Sequence, residues 1–332
     1  MKTSLDKKIQ NDVNRIEDFK GKLQKLNNAF KDGGVTMSSL EMLGEVICDG
    51  GEKPLPRPDH EFVVEKLYLR DTNTLDDGYK CNITGICRLT SGEFILLYNS
   101  NSKLKLLNSS FSVMSTSDVP NFPWDICSIG QREAAVALDY VSGRRGAILL
   151  VRVRSGTIEQ LKTISFQHCC RGIAYHDDHF YVTTKTTLYK YDKEGSQGRE
   201  MYNDPTGDNP EDNHVNRCAI SPDGTRIFIT NYTNHQLITL DKDGTKRSTF
   251  TDQELEYPAA VHVSPMGHVF VCCYKRNTVV QVVNSEKGVQ SVRTLAEKSD
   301  GLYDPWALYF DSSKHTLVVG LADDRIAELK LK

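Results

Sequence analysis

Internal repetition constrains this chain more than any other feature. Six segments share one grammar: TGICRLTSGEFILLYNSNSKLKLLN from Thr84, WDICSIGQREAAVALDYVSGRRGAILLVRV from Trp124, RGIAYHDDHFYVTTKTTLYKYDKEG from Arg171, RCAISPDGTRIFITNYTNHQLITLDKDG from Arg217, AAVHVSPMGHVFVCCYKRNTVVQVVN from Ala259 and PWALYFDSSKHTLVVGLADDRIAELKLK from Pro305. In each, a short apolar strand leads through a turn bearing Gly, Asp or Ser into a second apolar strand. A polar turn and a third strand follow. The turn Ser221-Pro222-Asp223-Gly224 shows the chemistry most clearly, since Pro presets φ and Gly accepts a positive φ without a steric penalty. Ser264-Pro265-Met266-Gly267 repeats it one unit later.

Weaker fourth strands fall between the units, at Phe111–Ser115, Leu161–Phe166, Arg247–Phe250 and Ser291–Leu295. The units recur every ~40 to 47 residues, the period of a four-stranded propeller blade. A β-sandwich could be built from similar hairpins, but it needs no such regular spacing. The expected fold is therefore all-β, a six-bladed β-propeller. A ring must also hide its terminal strand edges. The last unit ends after its third strand, Arg325–Leu331, and an unassigned strand-like run, Phe62–Leu69, precedes the first unit. Strand 62–69 is expected to join the last blade and close a propeller spanning 62–332.

The N-terminal part reads differently. Ile9, Val13, Ile16, Leu23 and Phe30 follow a heptad seam, with Lys20 and Asn27 in the intervening seam positions. Residues 1–32 thus resemble the end of a coiled coil, able to self-associate, with an amphipathic helix lying on the ring as the alternative. Residues 33–61 hold a short helix from Ser38 or Ser39 to Ile47, then a Pro- and Gly-rich linker, Asp49–Pro58, that neither helix nor sheet can continue through.

Composition narrows the function classes. The chain has 332 residues, of which 39% are hydrophobic and 26% charged, enough to bury a core, and its net charge of -3 supplies no general field for nucleic acid. No run of about eighteen apolar residues would span a membrane, and the start MKTSLDKKIQ lacks a signal-peptide core. The nine cysteines sit mostly in strand-like runs, as buried thiols of a reducing compartment do. A cytoplasmic protein without membrane association is expected. The adjacent pairs Cys169-Cys170 and Cys272-Cys273 lack zinc-ligand spacing, so no metal and no cofactor is expected.

A coiled-coil end, a linker and a six-bladed ring together resemble the C-terminal part of tripartite-motif proteins that carry an NHL-type propeller, particularly divergent invertebrate forms. The residues carrying the likeness are Arg171-Gly172-Ile173-Ala174, Ile220-Ser221-Pro222-Asp223-Gly224, Ile229-Thr230-Asn231 and Leu240-Asp241-Lys242-Asp243-Gly244. The resemblance implies a substrate-recognition half of a ubiquitin ligase whose RING and B-box zinc modules lie upstream of the coiled coil. No such zinc-ligand spacing occurs here, so this chain alone is expected to lack ligase activity.

The expected function is thus a non-catalytic interaction module for a protein partner or ubiquitination substrate. Propeller ligands sit on the face made by the turns between second and third strands and by the connections between blades. Arg144, Arg145, Arg171, Arg217, Tyr274, Lys275, Arg276 and Arg325 fall on that face, with Trp124, Tyr232 and Trp306 as aromatic anchors. The same face carries Asp76, Asp77, Asp204, Asp208, Glu211, Asp212, Asp300, Asp304, Asp323 and Asp324, so it is mixed rather than basic. Single-stranded RNA binding is one alternative. A metal-dependent hydrolase or lactonase is another, with Asp125, Asn216, Asn231 and Asp304 as candidate ligands, although these do not share one position in successive units. The long polar connection Met201–Asn216 could bind Ca²⁺, but it lacks EF-hand spacing. His168 and Cys169 adjoin and should point to opposite faces, against a Cys-His nucleophile.

Overall fold

The computed structural model describes residues 60–74, 77, 80–140, 145–204, 214–284 and 290–332. The heptad segment 1–32, the helix and linker up to residue 59, Asp76, Arg144 and the acidic stretch 205–213 lie outside them. One compact unit runs from Pro58 to Lys332.

Strand β1 (Val64–Asp71) comes first. The first blade follows as β2 (Ile83–Arg88), β3 (Phe94–Tyr98), β4 (Lys103–Leu107) and β5 (Val113–Asp118). The second is β6 (Phe122–Ser128), β7 (Glu133–Asp139), β8 (Gly146–Arg154) and β9 (Thr157–Phe166). The third is β10 (Gly172–His176), β11 (His179–Thr183), β12 (Thr187–Asp192) and β13 (Arg199–Asn203). The fourth is β14 (Arg217–Ile220), β15 (Arg226–Asn231), β16 (Gln236–Asp241) and β17 (Lys246–Thr251), and the fifth is β18 (Pro258–Val263), β19 (Val269–Cys273), β20 (Thr278–Asn284) and β21 (Gln290–Ala296). The sixth blade takes β22 (Ala307–Asp311), β23 (Thr316–Gly320) and β24 (Arg325–Leu331), and orders them β1-β24-β23-β22. Among the described residues all six sheets are four-stranded, and they form a six-bladed β-propeller. Within each blade the first strand is innermost, and these inner strands stand side by side around the ring, β22 beside β2 included.

Burial follows from that stacking. A middle strand is covered on both faces by neighbouring blades, so β3 is buried along its whole length and reads as a continuous apolar run, FILLY. Outer strands alternate, as in β5, or are largely solvated, as in β17. The apolar side chains gather into six clusters, one at each seam between consecutive blades. The seam between the fifth and sixth blades holds Phe62, wholly buried, with its ring centroid 5.7 Å from Phe270 and 5.5 Å from Phe310. The Phe62 amide donates to Gln281 Oε1 at 2.9 Å, and Gln281 Nε2 donates to His60 O at 2.6 Å. This pins the segment leading into β1. β1 then pairs antiparallel with β24 from Val64 opposite Leu331 to Asp71 opposite Arg325, with a bulge between Val64 and Lys66.

Turn chemistry operates as the residues require. In Ser221-Pro222-Asp223-Gly224, Gly224 has φ 68° and donates its amide to Ser221 O at 2.8 Å. The Asp223 carboxylate accepts from Ser221 Oγ at 2.5 Å and from the Thr225 amide at 3.1 Å. The hydrogen bond from Ser221, outweighing burial, holds the Asp223 carboxyl below its usual range.

Candidate functional site

The turns between second and third strands and the connections between blades lie at the same end of the strands, and the aromatic and basic residues of that face fall into two groups. The first group is charged and occupies the second to fourth blades. Arg171, just before β10, lies with its guanidinium carbon 4.1 Å from the Trp124 ring centre and its Nε 3.2 Å from Asp139 Oδ2. Arg217 opens β14 but is only 3% exposed. Its guanidinium donates to Arg171 O and, at 2.5 Å, to Trp124 O, and its Nε lies 3.7 Å from Asp125 Oδ2. Asp125 in turn accepts the Ile173 amide at 2.9 Å. Burial governs this pair: it pushes the Asp125 carboxyl up and the Arg217 guanidinium down in spite of their mutual attraction. Arg217 therefore clamps three blades together, and its donors face backbone carbonyls rather than solvent.

The second group is aromatic and comes from the fourth to sixth blades. Tyr232, in the turn after β15, lies 6.1 Å from Trp306 with the ring planes 11° apart. Tyr274, in the turn after β19, lies 4.4 Å from Trp306 at 38°. Tyr257, just before β18, meets Tyr232 edge-on at 5.1 Å and carries the Lys275 ammonium 4.2 Å above its ring centre. Tyr303 is 50% exposed beside them. Burial, aided by the neighbouring phenols and by Asp304, pushes the Tyr232 hydroxyl up to about 12. The Trp306 indole N–H is buried with no acceptor among the described residues.

Two further arginines of the face are held by carboxylates. Arg276 forks onto Glu254, with Nε at 3.0 Å from Oε2 and Nη2 at 2.5 Å from Oε1. Arg325 forks onto Asp323, with Nε at 2.9 Å and Nη2 at 2.5 Å from Oδ2. Arg145 is exposed beside the undescribed residues 141–144. The face brings Tyr232, Tyr274 and Trp306 together, and separately Trp124, Arg171 and Arg217. Sequence reasoning missed Tyr257, although its place just ahead of an inner strand matches that of Trp306. It also missed Asp139 and Glu254, which neutralise the arginines and are separated from them by 32 and 22 positions.

The two asparagines weighed as metal ligands are engaged by other partners. Asn216 Nδ2 donates to Ala259 O at 3.0 Å, and Asn231 Nδ2 donates to Asp204 Oδ2 at 3.1 Å. Among the described residues, no three His, Cys, Asp or Glu side chains gather as a metal site. His168 is stacked between Phe166 and Tyr189, and its Nε2 meets the Tyr191 hydroxyl at 2.6 Å, while burial pushes the Cys169 thiol up. The inner strands enclose a channel of about 220 Å³ lined by Arg88, Asp125, Tyr175, Arg217, His262 and Tyr309 among others.

No helix among the described residues is long and apolar enough to cross a membrane. Comparison with known proteins found no matching family model and no matching curated sequence. Similar folds do occur among solved structures. Virginiamycin B lyase from Staphylococcus aureus is 12% identical with a TM-score of 0.54, over 82% of this chain and 100% of that one. A protein of unknown function from Bacteroides thetaiotaomicron VPI-5482 is 9% identical with a TM-score of 0.63, over 82% of this chain and 77% of that one. A luciferin-regenerating enzyme is 10% identical with a TM-score of 0.58, over 80% of this chain and 95% of that one. At such identities the likeness is one of fold: this chain shares a propeller architecture, of the general kind that NHL-type rings also have.

Proposed function

We propose that this ring is a non-catalytic interaction module that holds a protein partner on the face described above, as the substrate-recognition half of a tripartite-motif ubiquitin ligase does. One observation carries the reading: Tyr232, Tyr274 and Trp306, from three consecutive blades, meet on one face and remain half-buried rather than sealed in a seam. Clustered Tyr and Trp side chains are the usual energetic centres of protein interfaces. The resemblance supplies the finer expectation that the partner is a ubiquitination substrate.

A platform of this kind could also stack RNA bases. Phosphate binding, however, needs cations that are not already spent, and Arg171, Arg217, Arg276 and Arg325 each face a carboxylate. Protein is therefore the favoured class. Crosslinking the full chain in cell extract, followed by mass spectrometry with and without nuclease, tests it. The expected result is crosslinks from Lys275 to a protein that persist after nuclease and are lost in Trp306→Ala. Crosslinks abolished by nuclease, with affinity falling steeply as salt rises, would establish the RNA reading instead.

A further inference from the structure

The aromatic group has one carboxylate beside it, and the pair restricts what the surface can take. Tyr232, Tyr274 and Trp306 lie within 4.4 to 6.3 Å of one another. Rings this close leave no slot between them, so they offer a platform rather than a cage. Asp304 stands two residues before Trp306 in the connection from the fifth blade to the sixth. Its amide donates to Asn277 Oδ1 at 2.7 Å, across to the turn that carries Tyr274. Both Asp304 (φ 46°) and Asn277 (φ 59°) take left-handed backbone conformations, and this hydrogen bond ties the two turns together. The Asp304 carboxylate accepts no hydrogen bond among the described residues, and its charge acts on the hydroxyls of both Tyr232 and Tyr274.

The surrounding charges complete the argument. Arg276 is neutralised by Glu254 and Arg325 by Asp323, and Lys275 is drawn over the Tyr257 ring rather than over Tyr232, Tyr274 or Trp306. Lys298 acts on Asp304 from beyond ion-pair distance, and Asp323 opposes it. An anionic ligand would meet the negative faces of the rings together with Asp304. A neutral one would leave the carboxylate unused. A cation gains from both. Guanidinium suits this geometry better than ammonium, because it is planar, weakly hydrated and able to fork onto a carboxylate.

We propose that Tyr232, Tyr274, Trp306 and Asp304 form a subsite for an arginine side chain of the partner protein, its guanidinium stacked on the rings and bonded to the Asp304 carboxylate. The subsite rests on the reading of this face as a partner-binding surface. The chain has two tryptophans, Trp124 and Trp306, so their indole N–H resonances are a direct report. Titration of the full chain with acetyl-arginine N-methylamide is expected to shift the Trp306 signal saturably and leave that of Trp124 in place, the two being assigned with Trp124→Phe. Acetyl-citrulline N-methylamide, of the same shape without the charge, is expected to bind about fivefold more weakly. Asp304→Asn is expected to lower the arginine affinity toward, but not down to, the citrulline level, because the ring faces still attract the cation. The absence of a saturable Trp306 shift, or equal binding of the two compounds, would overturn the subsite even if the variant failed to fold. Partner crosslinks on this face without any preference for arginine would sink the subsite and leave the partner reading standing. Arginine binding without partner crosslinks would do the reverse.

Discussion

His262 stands in the inner strand of the fifth blade and lines the channel. Tyr309 packs on it at 4.8 Å. Its surface is partly open to the channel, but the surrounding matter is protein, so burial governs and lowers its pKa from 6.5 to about 4. The folded state thus binds the proton less tightly than the unfolded chain does. Above pH 6.5 the group is neutral in both states and contributes nothing, whereas stability is lost as pH falls from 6.5 toward 4. The loss reaches at most about 3 kcal/mol. Urea unfolding at neutral pH and near pH 4.5 is expected to show that loss in the wild type and a smaller one in His262→Gln. An equal loss in both would show that the acid sensitivity lies elsewhere. Lys105 makes a contrasting case. It is wholly buried in β4, its Nζ donates to Thr72 O at 2.8 Å, and it pairs with Asp77 while lying 4.0 Å from the Tyr98 ring centre. Burial alone would raise the Asp77 carboxyl, but hydrogen bonds from Lys105 and Thr74 outweigh it and hold it below the usual range. The pattern KLKLL suggests a lysine on the solvated side of a strand, and only the neighbouring loop reveals the partner that makes its burial tolerable.

Strands pack blade against blade at distances that leave little room near the axis. Gly172, the first residue of β10, shows how little. A Cβ there would lie 2.6 Å from Thr183 Oγ1, 2.8 Å from Asn216 O and 3.0 Å from Arg217 Cα, so backbone of the next blade would have to move. Gly172→Ala is expected to destabilise the ring by about 1 to 3 kcal/mol, the usual penalty of overpacking, in spite of the smaller entropy lost on folding. A lower urea midpoint with an unchanged slope would be the signature. An unchanged midpoint would mean that the seam between the third and fourth blades is loose. The clamp made by Arg217 crosses this same seam, so an arginine at the start of an inner strand ties neighbouring blades together here.

A ring is stable only when its ends meet. β1 completes the sixth blade through an antiparallel ladder with β24, bulged once near its start, and Phe62 fills the seam beside it. Removing residues 1–50 is expected to leave the melting transition of the ring in place, because the compact unit begins at Pro58. Removing residues through Leu69 is expected to expose the β24 edge and cause aggregation or early unfolding, detectable by light scattering and a thermal melt. Equal stability of the two truncations would show that closure does not depend on β1. Blade number, strand order within a blade and turn positions were legible in the chain because they depend on alternation and on turn residues a few positions apart. The face was legible only in outline. Which arginines are consumed by carboxylates, which aromatics touch and which polar groups are buried depend on residues that different blades bring together, often more than twenty positions apart. In one sequence Arg217 and Arg276 look alike, and only the closed ring buries the first at a seam and leaves the second at the surface, forked onto Glu254.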